Sequence, residues 1–410
     1  MKILIYGINY WPELTGIGKY TGELSEWLSD HGHQVHVITS PPYYPEWKVK
    51  DGYSSFFYHK EQRVGVDVYR VPIFVPEKPT TLSRILHLVS FSFTSLPIVI
   101  RHIFWKPDIV LYIQPTLFSS FGALLLAKLS GSKSIMHIQD YEIDAMLGLG
   151  MIEQGLITKW VKKIECCLMS KFDVISTISY SMMEKAKQKG VPDSKLIFFP
   201  NWADTEFVAP ISSASTLKAE WGFSDSDKVI LYAGNIGKKQ GLELVLDAAE
   251  KLKDRDDVRF VIVGTGAHVG VLNAIAVDKE LSNVYFKSLQ PWARVPEMLT
   301  MADIHLVIQK RGAADVVLPS KLTNILSIGG YSLVTAERHT ELGLLSEKYP
   351  GIYQCVEPEN VSLFVDALHK MLEKKYDGIN AVARGYALKF LSKNIVLSDF
   401  EEYLTKIYYS

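Results

Sequence analysis

Short apolar runs separated by amphipathic segments dominate the chain. In the first half they fall at residues 2–6, 34–39, 66–71, 109–113, 134–138, 174–177 and 196–199. Between them apolar positions recur at helical spacing, as at Leu24, Trp27 and Leu28, with Gly32 placed to stop the helix. This alternation predicts a mostly parallel sheet with helices on both faces. A polar, irregular stretch at 209–215 interrupts the pattern, which begins again with runs at 229–233, 259–263, 284–286, 304–308, 332–335 and 352–356. Two doubly wound, Rossmann-like α/β domains are therefore expected, over residues 1–203 and 204–385. A closing segment, 386–410, is amphipathic and is expected to pack back on the first domain.

Composition narrows the class. With 410 residues, 48% of them hydrophobic and 22% charged, the chain can bury two sizeable cores. A formal net charge of -1 argues against a general nucleic-acid binder. The cysteines are sparse and odd in number, Cys166 beside Cys167 and Cys355 far away, which fits a reducing, cytoplasmic compartment. The first apolar run meets Trp11-Pro12-Glu13 too soon for a signal peptide. The longest apolar stretch, 82–105, carries Arg84, His87, Arg101 and His102, leaving 88–100 free of ionisable groups. That is shorter than the roughly 20 residues a bilayer span needs. A second stretch, 157–171, mixes Trp160, Ile164 and Leu168 with Lys159, Lys162, Lys163 and Lys171. Apolar faces flanked by lysine suit peripheral contact with the inner, anionic face of a membrane; helices buried on one side with a solvated edge fit the same pattern.

In doubly wound sheets ligands bind beyond the carboxyl ends of the strands, and two such domains facing each other would enclose a central cleft. The loops after strands hold the candidates. Ser320, Lys321 and Asn324 place a hydroxyl, a cation and an amide at the expected start of a helix, where unpaired amides and the macrodipole favour an anion. Gly16 and Gly18 close the loop after the first strand; the spacing is not Gly-x-Gly-x-x-Gly, and a plain turn accounts for either glycine. Asn235 and Lys239 lie in the glycine-rich loop at the equivalent place in the second domain, where solvated lysines are equally ordinary. Gly264 would let a base or ribose lie against the backbone, or form a tight turn. Near the end of the 134–138 run, His137 and Gln139 share a strand face and Asp140 stands at the tip. A carboxylate there would orient a sugar hydroxyl or stabilise developing positive charge; a helix cap is the alternative. The Asp225/Asp227 and Asp254/Asp256 pairs precede strands, on the edge away from ligand loops, and no metal-ligand spacing occurs, so no metal is expected.

Several motifs occur in a specific order: Tyr10-Trp11-Pro12-Glu13 with Thr15-Gly16-Ile17-Gly18, His31-Gly32-His33, His137-Ile138-Gln139-Asp140, Pro200-Asn201-Trp202, Gly234-Asn235-Ile236-Gly237 and Leu318-Pro319-Ser320-Lys321. In that order and spacing, over nearly its whole length, the chain resembles the retaining glycosyltransferases of sequence family 4, which have the GT-B fold. The resemblance implies transfer of a sugar from a nucleoside diphosphate to a hydroxyl acceptor, with retention of configuration and without metal or other cofactor. It implies that Gly16, Gly18, Ser320 and Lys321 hold the diphosphate, that the acceptor in surface-polysaccharide assembly is a lipid-linked glycan or an oligosaccharide, and that the donor is of the fucose type on GDP, the sequence itself leaving GDP and UDP open.

The chain also departs from that family. Gln139 stands where many members have histidine, Asn235 and Gln240 where many have Arg and Lys, and Val316 with Asn324 where a glutamate pair is common. With those positions uncharged, Lys321 is the cation on which leaving-group stabilisation most depends. A nucleotide-sugar epimerase of the same two-domain plan, or a glycan-assembly scaffold without activity, would share most of these features.

Overall fold

The run Lys2–Tyr6 forms β1, in which Ile3, Leu4, Ile5 and Tyr6 are fully buried. In the computed structural model all residues are described except 14–15, 79, 115–116, 142–154, 212–214, 312–318, 377 and 410, together with the side chains of Leu156, Ile157, Ser215 and Lys239. Around β1 lie β2 (Gln34–Thr39), β3 (His59–Arg63), β4 (Val66–Arg70), β5 (Ile109–Ile113), β6 (Lys133–Ile138), β7 (Val174–Thr177) and β8 (Leu196–Phe198), in the order β3-β4-β2-β1-β5-β6-β7-β8. Pairing is parallel throughout except between β3 and β4. Continuous apolar runs suit strands covered on both faces, and that is where β1 and β5 sit.

The apolar pattern does not predict β3, whose sequence His-Lys-Glu-Gln-Arg has no apolar residue. It is an antiparallel edge held by its ladder to β4 and by two ion pairs, Lys60 to Asp67 at 2.8 Å and Arg70 to Glu61 at 2.6 Å. Charged edges also discourage further strand pairing.

Helices α1 (Gly16–Asp30), α2 (Thr81–Trp105), α3 (Leu117–Ser130), α4 (Leu156–Lys171) and α5 (Tyr180–Gln188) serve this sheet. The ionisable residues of α2 do not interrupt it. Thr80 and Ser83 form a capping box at its start, and His87 and His102 are buried on its core face with Leu88, Phe91, Ser95 and Val99. Its 25 residues are long and apolar enough for a membrane span by length and composition alone. The core face instead packs on the sheet, with Tyr6 Oη 2.5 Å from Ser95 Oγ.

A second sheet carries α6 (Ser215–Glu220), β9 (Lys228–Ala233), α7 (Glu243–Lys251), β10 (Val258–Val263), α8 (Val269–Asp278), β11 (Val284–Lys287) and α9 (Val295–Thr300). It continues through β12 (Ile304–Val307), α10 (Ser320–Ser327), β13 (Ser332–Thr335), α11 (Glu341–Lys348), β14 (Gln354–Val356), α12 (Val361–Glu373) and α13 (Ala381–Tyr386). Strand order is β11-β10-β9-β12-β13-β14, all parallel. Alternate residues of β9 enter opposite cores, Val229 and Leu231 one and Ile230 and Tyr232 the other. Each fully buried aliphatic side chain in such a core contributes roughly 1.5–3 kcal/mol.

The chain divides into two compact units, Met1–Pro200 with Leu397–Ser410, and Asn201–Val396. Within the first unit the end of α14 (Lys393–Tyr409) is fastened by Glu401, which accepts from Trp27 Nε1 at 3.0 Å and lies 3.0 Å from His33 Nε2. Phe400 stacks on Phe199 with centroids 3.8 Å apart.

Candidate functional site

In the second unit the loops after β9 and β10 are knitted to each other. Gly234 N donates to Val263 O at 2.9 Å, Ile236 N to Thr265 O at 2.9 Å, and His268 N to Ile236 O at 3.1 Å. The fit leaves no room for side chains: a Cβ on Gly264 would strike the Gly234 carbonyl, and one on Gly266 the Ile236 carbonyl. Gly264 is thus required by the contact between loops, whatever ligand it meets. Asn235 is exposed, and its carbonyl accepts from Tyr232 Oη at 2.7 Å. Residues Lys238–Gln240 form a 3-10 turn in which Gln240 Oε1 accepts from Gly237 N at 3.0 Å. Gln240, uncharged, closes the loop. Lys239 lies in that turn, with its side chain outside the described set.

Helix α10 begins at Ser320, directly after Pro319, and among the described residues no side chain caps it. Leu322 N donates to Pro319 O at 2.8 Å, and the other first-turn amides have no partner within the helix. Ser320 is exposed, and half-buried Asn324 lies one turn on along the same side. Lys321 turns inward. Its Nζ is 2.8 Å from Tyr232 Oη and 4.0 Å from the centroid of that ring. The space above is kept open by Gly234, where a Cβ would lie 3.2 Å from Nζ. Burial pushes the Lys321 ammonium down to about 7. Val316 lies outside the described residues.

The far end of α10 is clamped. Gly329 N donates to Leu326 O at 3.0 Å and Gly330 N to Ile325 O at 2.9 Å, with Gly329 at φ +66. Arg384 of α13 donates to Ser327 O and, at 3.0 Å, to Thr205 O, placing a cation at the carbonyl end of the helix. A partly desolvated ammonium on the first turn of a helix so held can neutralise an oxyanion with little competition from water.

In the first unit, Gly16 and Gly18 are glycines for different reasons. Gly16 has φ +60 and open space where a side chain would stand. Gly18 lies on Glu13: a Cβ would be 2.7 Å from the Glu13 Cβ. Glu13 is only 1% exposed. Its Oε1 accepts from Tyr43 N at 3.1 Å and Tyr44 N at 3.0 Å, and its Oε2 from Asn9 Nδ2 at 2.9 Å. Burial raises the Glu13 carboxyl above the usual range despite these donors.

Gln139 does not face outward beside Asp140. It is buried, and its amide nitrogen lies 2.9 Å from His137 Nε2, to which it donates, while His137 Nδ1 lies 2.9 Å from Ser176 Oγ. Burial pushes the His137 imidazole down to about 3, so the ring is neutral. Asp140 is exposed just beyond the end of β6. Sequence reasoning had no hold on Tyr232, an aromatic in a buried strand, or on the ion pair of Glu243 with His268 at 2.7 Å beside the 234–241 loop. Lys310, whose stem packs under Gly241, was equally hidden. Among the described residues no three or more His, Cys, Asp or Glu side chains are placed to hold a metal ion.

Residues 15–202 match the family described as a glycosyl transferase 4-like domain, and residues 213–386 that of glycosyl transferases group 1. A protein of Escherichia coli (strain K12), named as a colanic acid biosynthesis glycosyl transferase, WcaI, is 48% identical over 406 residues, 98% of each chain. Among solved structures, sucrose-phosphate synthase from Thermosynechococcus elongatus superposes with a TM-score of 0.78 at 11% identity, covering 100% of this chain and 99% of its own. Anabaena HepE in complex with UDP-glucose gives 0.69 at 14% identity, over 99% and 100%. Such low identities speak for the fold alone, two Rossmann-like domains with parallel sheets. With both domain matches in sequence and a relative nearly half identical from end to end, the chain belongs to the GT-B glycosyltransferases of sequence family 4.

Proposed function

We propose that the protein transfers a sugar, with retention of configuration, from a nucleoside-diphosphate donor to a hydroxyl acceptor during assembly of a surface polysaccharide. The observation that carries this is Lys321, held on Tyr232 in the first turn of α10 beside the Gly234 loop. Departure of a nucleoside diphosphate leaves negative charge on phosphate oxygens, and a preorganised cation lowers that barrier. Ser320, Asn324, Asn235 and Lys239 surround the same diphosphate in this reading, with Gly264 at the nucleoside. Gly16 and Gly18 supply close backbone approach, and Asp140 meets the reacting sugar. The charge is supplied by protein groups, so no metal or cofactor takes part.

The E. coli relative, by its name, supports a place in exopolysaccharide synthesis. The donor we assign is GDP-fucose, and the acceptor a lipid-linked glycan on the cytoplasmic side of an anionic membrane. The complex of HepE with UDP-glucose makes UDP-sugars the competing donor class.

A thermal-shift series with GDP, UDP and ADP, followed by turnover of the matching nucleotide sugars with lipid-diphosphate acceptors, tests this. Preferential stabilisation by GDP and release of GDP on sugar transfer are expected. Stabilisation by UDP alone would replace the donor, and a chain that binds no nucleotide and releases none would be a scaffold.

A further inference from the structure

Helices α2 and α3 lie side by side, with Ser92 Oγ 2.8 Å from Ser119 Oγ. Their outward faces remain apolar. On α2 the exposed side chains Leu82, Leu86, Phe93, Ile100 and Phe104 fall at spacings of four, seven, seven and four residues, a single stripe of the helix. On α3 the exposed set is Phe118, Phe121, Leu125 and Leu129, again one stripe. Exposure is large: 83% at Phe104, 69% at Phe93 and 67% at Phe121. A soluble surface rarely leaves so many neighbouring aromatic and aliphatic groups in water.

Charge selects the partner. Neither helix contains Asp or Glu, while Arg101 and Lys128 are exposed on them. Helix α4, which packs against α3, adds exposed Lys159 and Lys163 next to exposed Trp160 and Ile164. A second copy of the same face would bring like charges together, whereas an anionic bilayer complements both the apolar stripe and its cations. Spanning is opposed by the other side of α2, where His87, Ser95 and His102 are buried against the sheet.

We propose that the outward faces of α2 and α3 dock the protein on the surface of an anionic membrane, their phenylalanines entering the headgroup boundary and Arg101, Lys128 and the α4 lysines meeting lipid phosphates. The choice of a membrane as partner rests on the transferase reading, which places the acceptor on a lipid.

Co-sedimentation of the full chain with phosphatidylcholine vesicles, with and without phosphatidylglycerol, tests the surface. Binding is expected with phosphatidylglycerol, weakening with salt. The double variant Phe104→Glu/Phe121→Glu is expected to lose about tenfold in partitioning while melting like the wild type. If that variant does not fold, Arg101→Gln/Lys128→Gln takes its place and should lose the dependence on phosphatidylglycerol. Unchanged partitioning of a folded variant would overturn the proposal, as would a wild type that ignores vesicles or forms dimers broken by these substitutions. Nucleotide stabilisation, measured on the same samples, separates the two claims. Vesicle failure with nucleotide binding intact sinks the surface alone, and the converse sinks the transferase reading.

Discussion

The Lys321 ammonium sits 2.8 Å from the Tyr232 hydroxyl and 4.0 Å from the centroid of the same ring, so one aromatic side chain serves the cation both as acceptor and as π-face. The hydroxyl in turn donates to Asn235 O at 2.7 Å. Position of the cation and shape of the glycine loop are thereby coupled through Tyr232. Replacing Lys321 with Ala is expected to raise the transfer barrier by about 2 to 4 kcal/mol, the loss typical of one charge-stabilising group. The melting temperature should hold or rise, because a partly desolvated cation is removed. Initial rates on the folded variant check this; unchanged turnover would remove Lys321 from the chemistry.

The pH dependence follows from the same residue. Its folded pKa, about 7, lies below the ordinary 10.5, so folding disfavours the protonated form. Stability from this group is therefore present above pH 10.5 and lost as pH falls toward 7. A bound diphosphate prefers the ammonium. Nucleoside diphosphate binding near about pH 8 should take up a proton, and affinity should weaken as pH rises past the folded pKa. Calorimetry in buffers of different ionisation enthalpy reads the uptake directly, and binding without proton exchange would contradict it. Tyr232→Phe should weaken the nucleotide by about 1 kcal/mol and move the midpoint to lower pH, since the ammonium loses its acceptor.

Two glycine substitutions should differ sharply. Gly16→Ala must accept φ +60 but meets no neighbouring atom, so a cost of about 1–2 kcal/mol is expected. Gly264→Ala drives a methyl into the Gly234 carbonyl, a backbone atom that cannot move without parting the two loops. The expected cost is about 3 kcal/mol or more, with nucleotide binding lost alongside. Urea unfolding of both variants decides it, and equal, mild effects would refute the interlocking of the loops.

Glu13 is expected to matter as an acceptor rather than as a charge. Glu13→Ala strands the Tyr43 and Tyr44 amides and the Asn9 side chain, at about 2–5 kcal/mol, whereas Glu13→Gln keeps one acceptor oxygen and should cost about 1 kcal/mol or less. Because the folded carboxyl titrates above its ordinary range, wild-type stability from this group falls as pH rises through its folded pKa. Glu13→Gln should flatten that slope, as measured by denaturation across pH.

Period-two and continuous apolar runs located every strand of both sheets except β3, which is polar because it is an exposed edge held by ion pairs. Lys321 was legible because a Pro-Ser-Lys helix start is a local feature. Tyr232 was not, since an aromatic inside Val-Ile-Leu-Tyr-Ala reads as core, and it becomes a partner for lysine only when β9 and α10 are brought together across some ninety residues. The burial of Gln139 was hidden for a related reason. Strand alternation put it on one face with His137, as found, but which ring nitrogen of His137 meets Gln139 depends on Ser176 from the neighbouring strand β7. Gly18 was singled out for ligand approach, and its contact with Glu13, five residues earlier, is a matter of three-dimensional packing that the spacing alone does not show.

The knitted loops after β9 and β10 also carry an evolutionary consequence. Gly264 and Gly266, both in the loop after β10, fill places defined by carbonyls of the loop after β9, so neither position can acquire a side chain unless that partner loop retreats in the same step. Divergence toward a new donor is then channelled to Asn235, whose side chain points into solvent from a backbone that need not change.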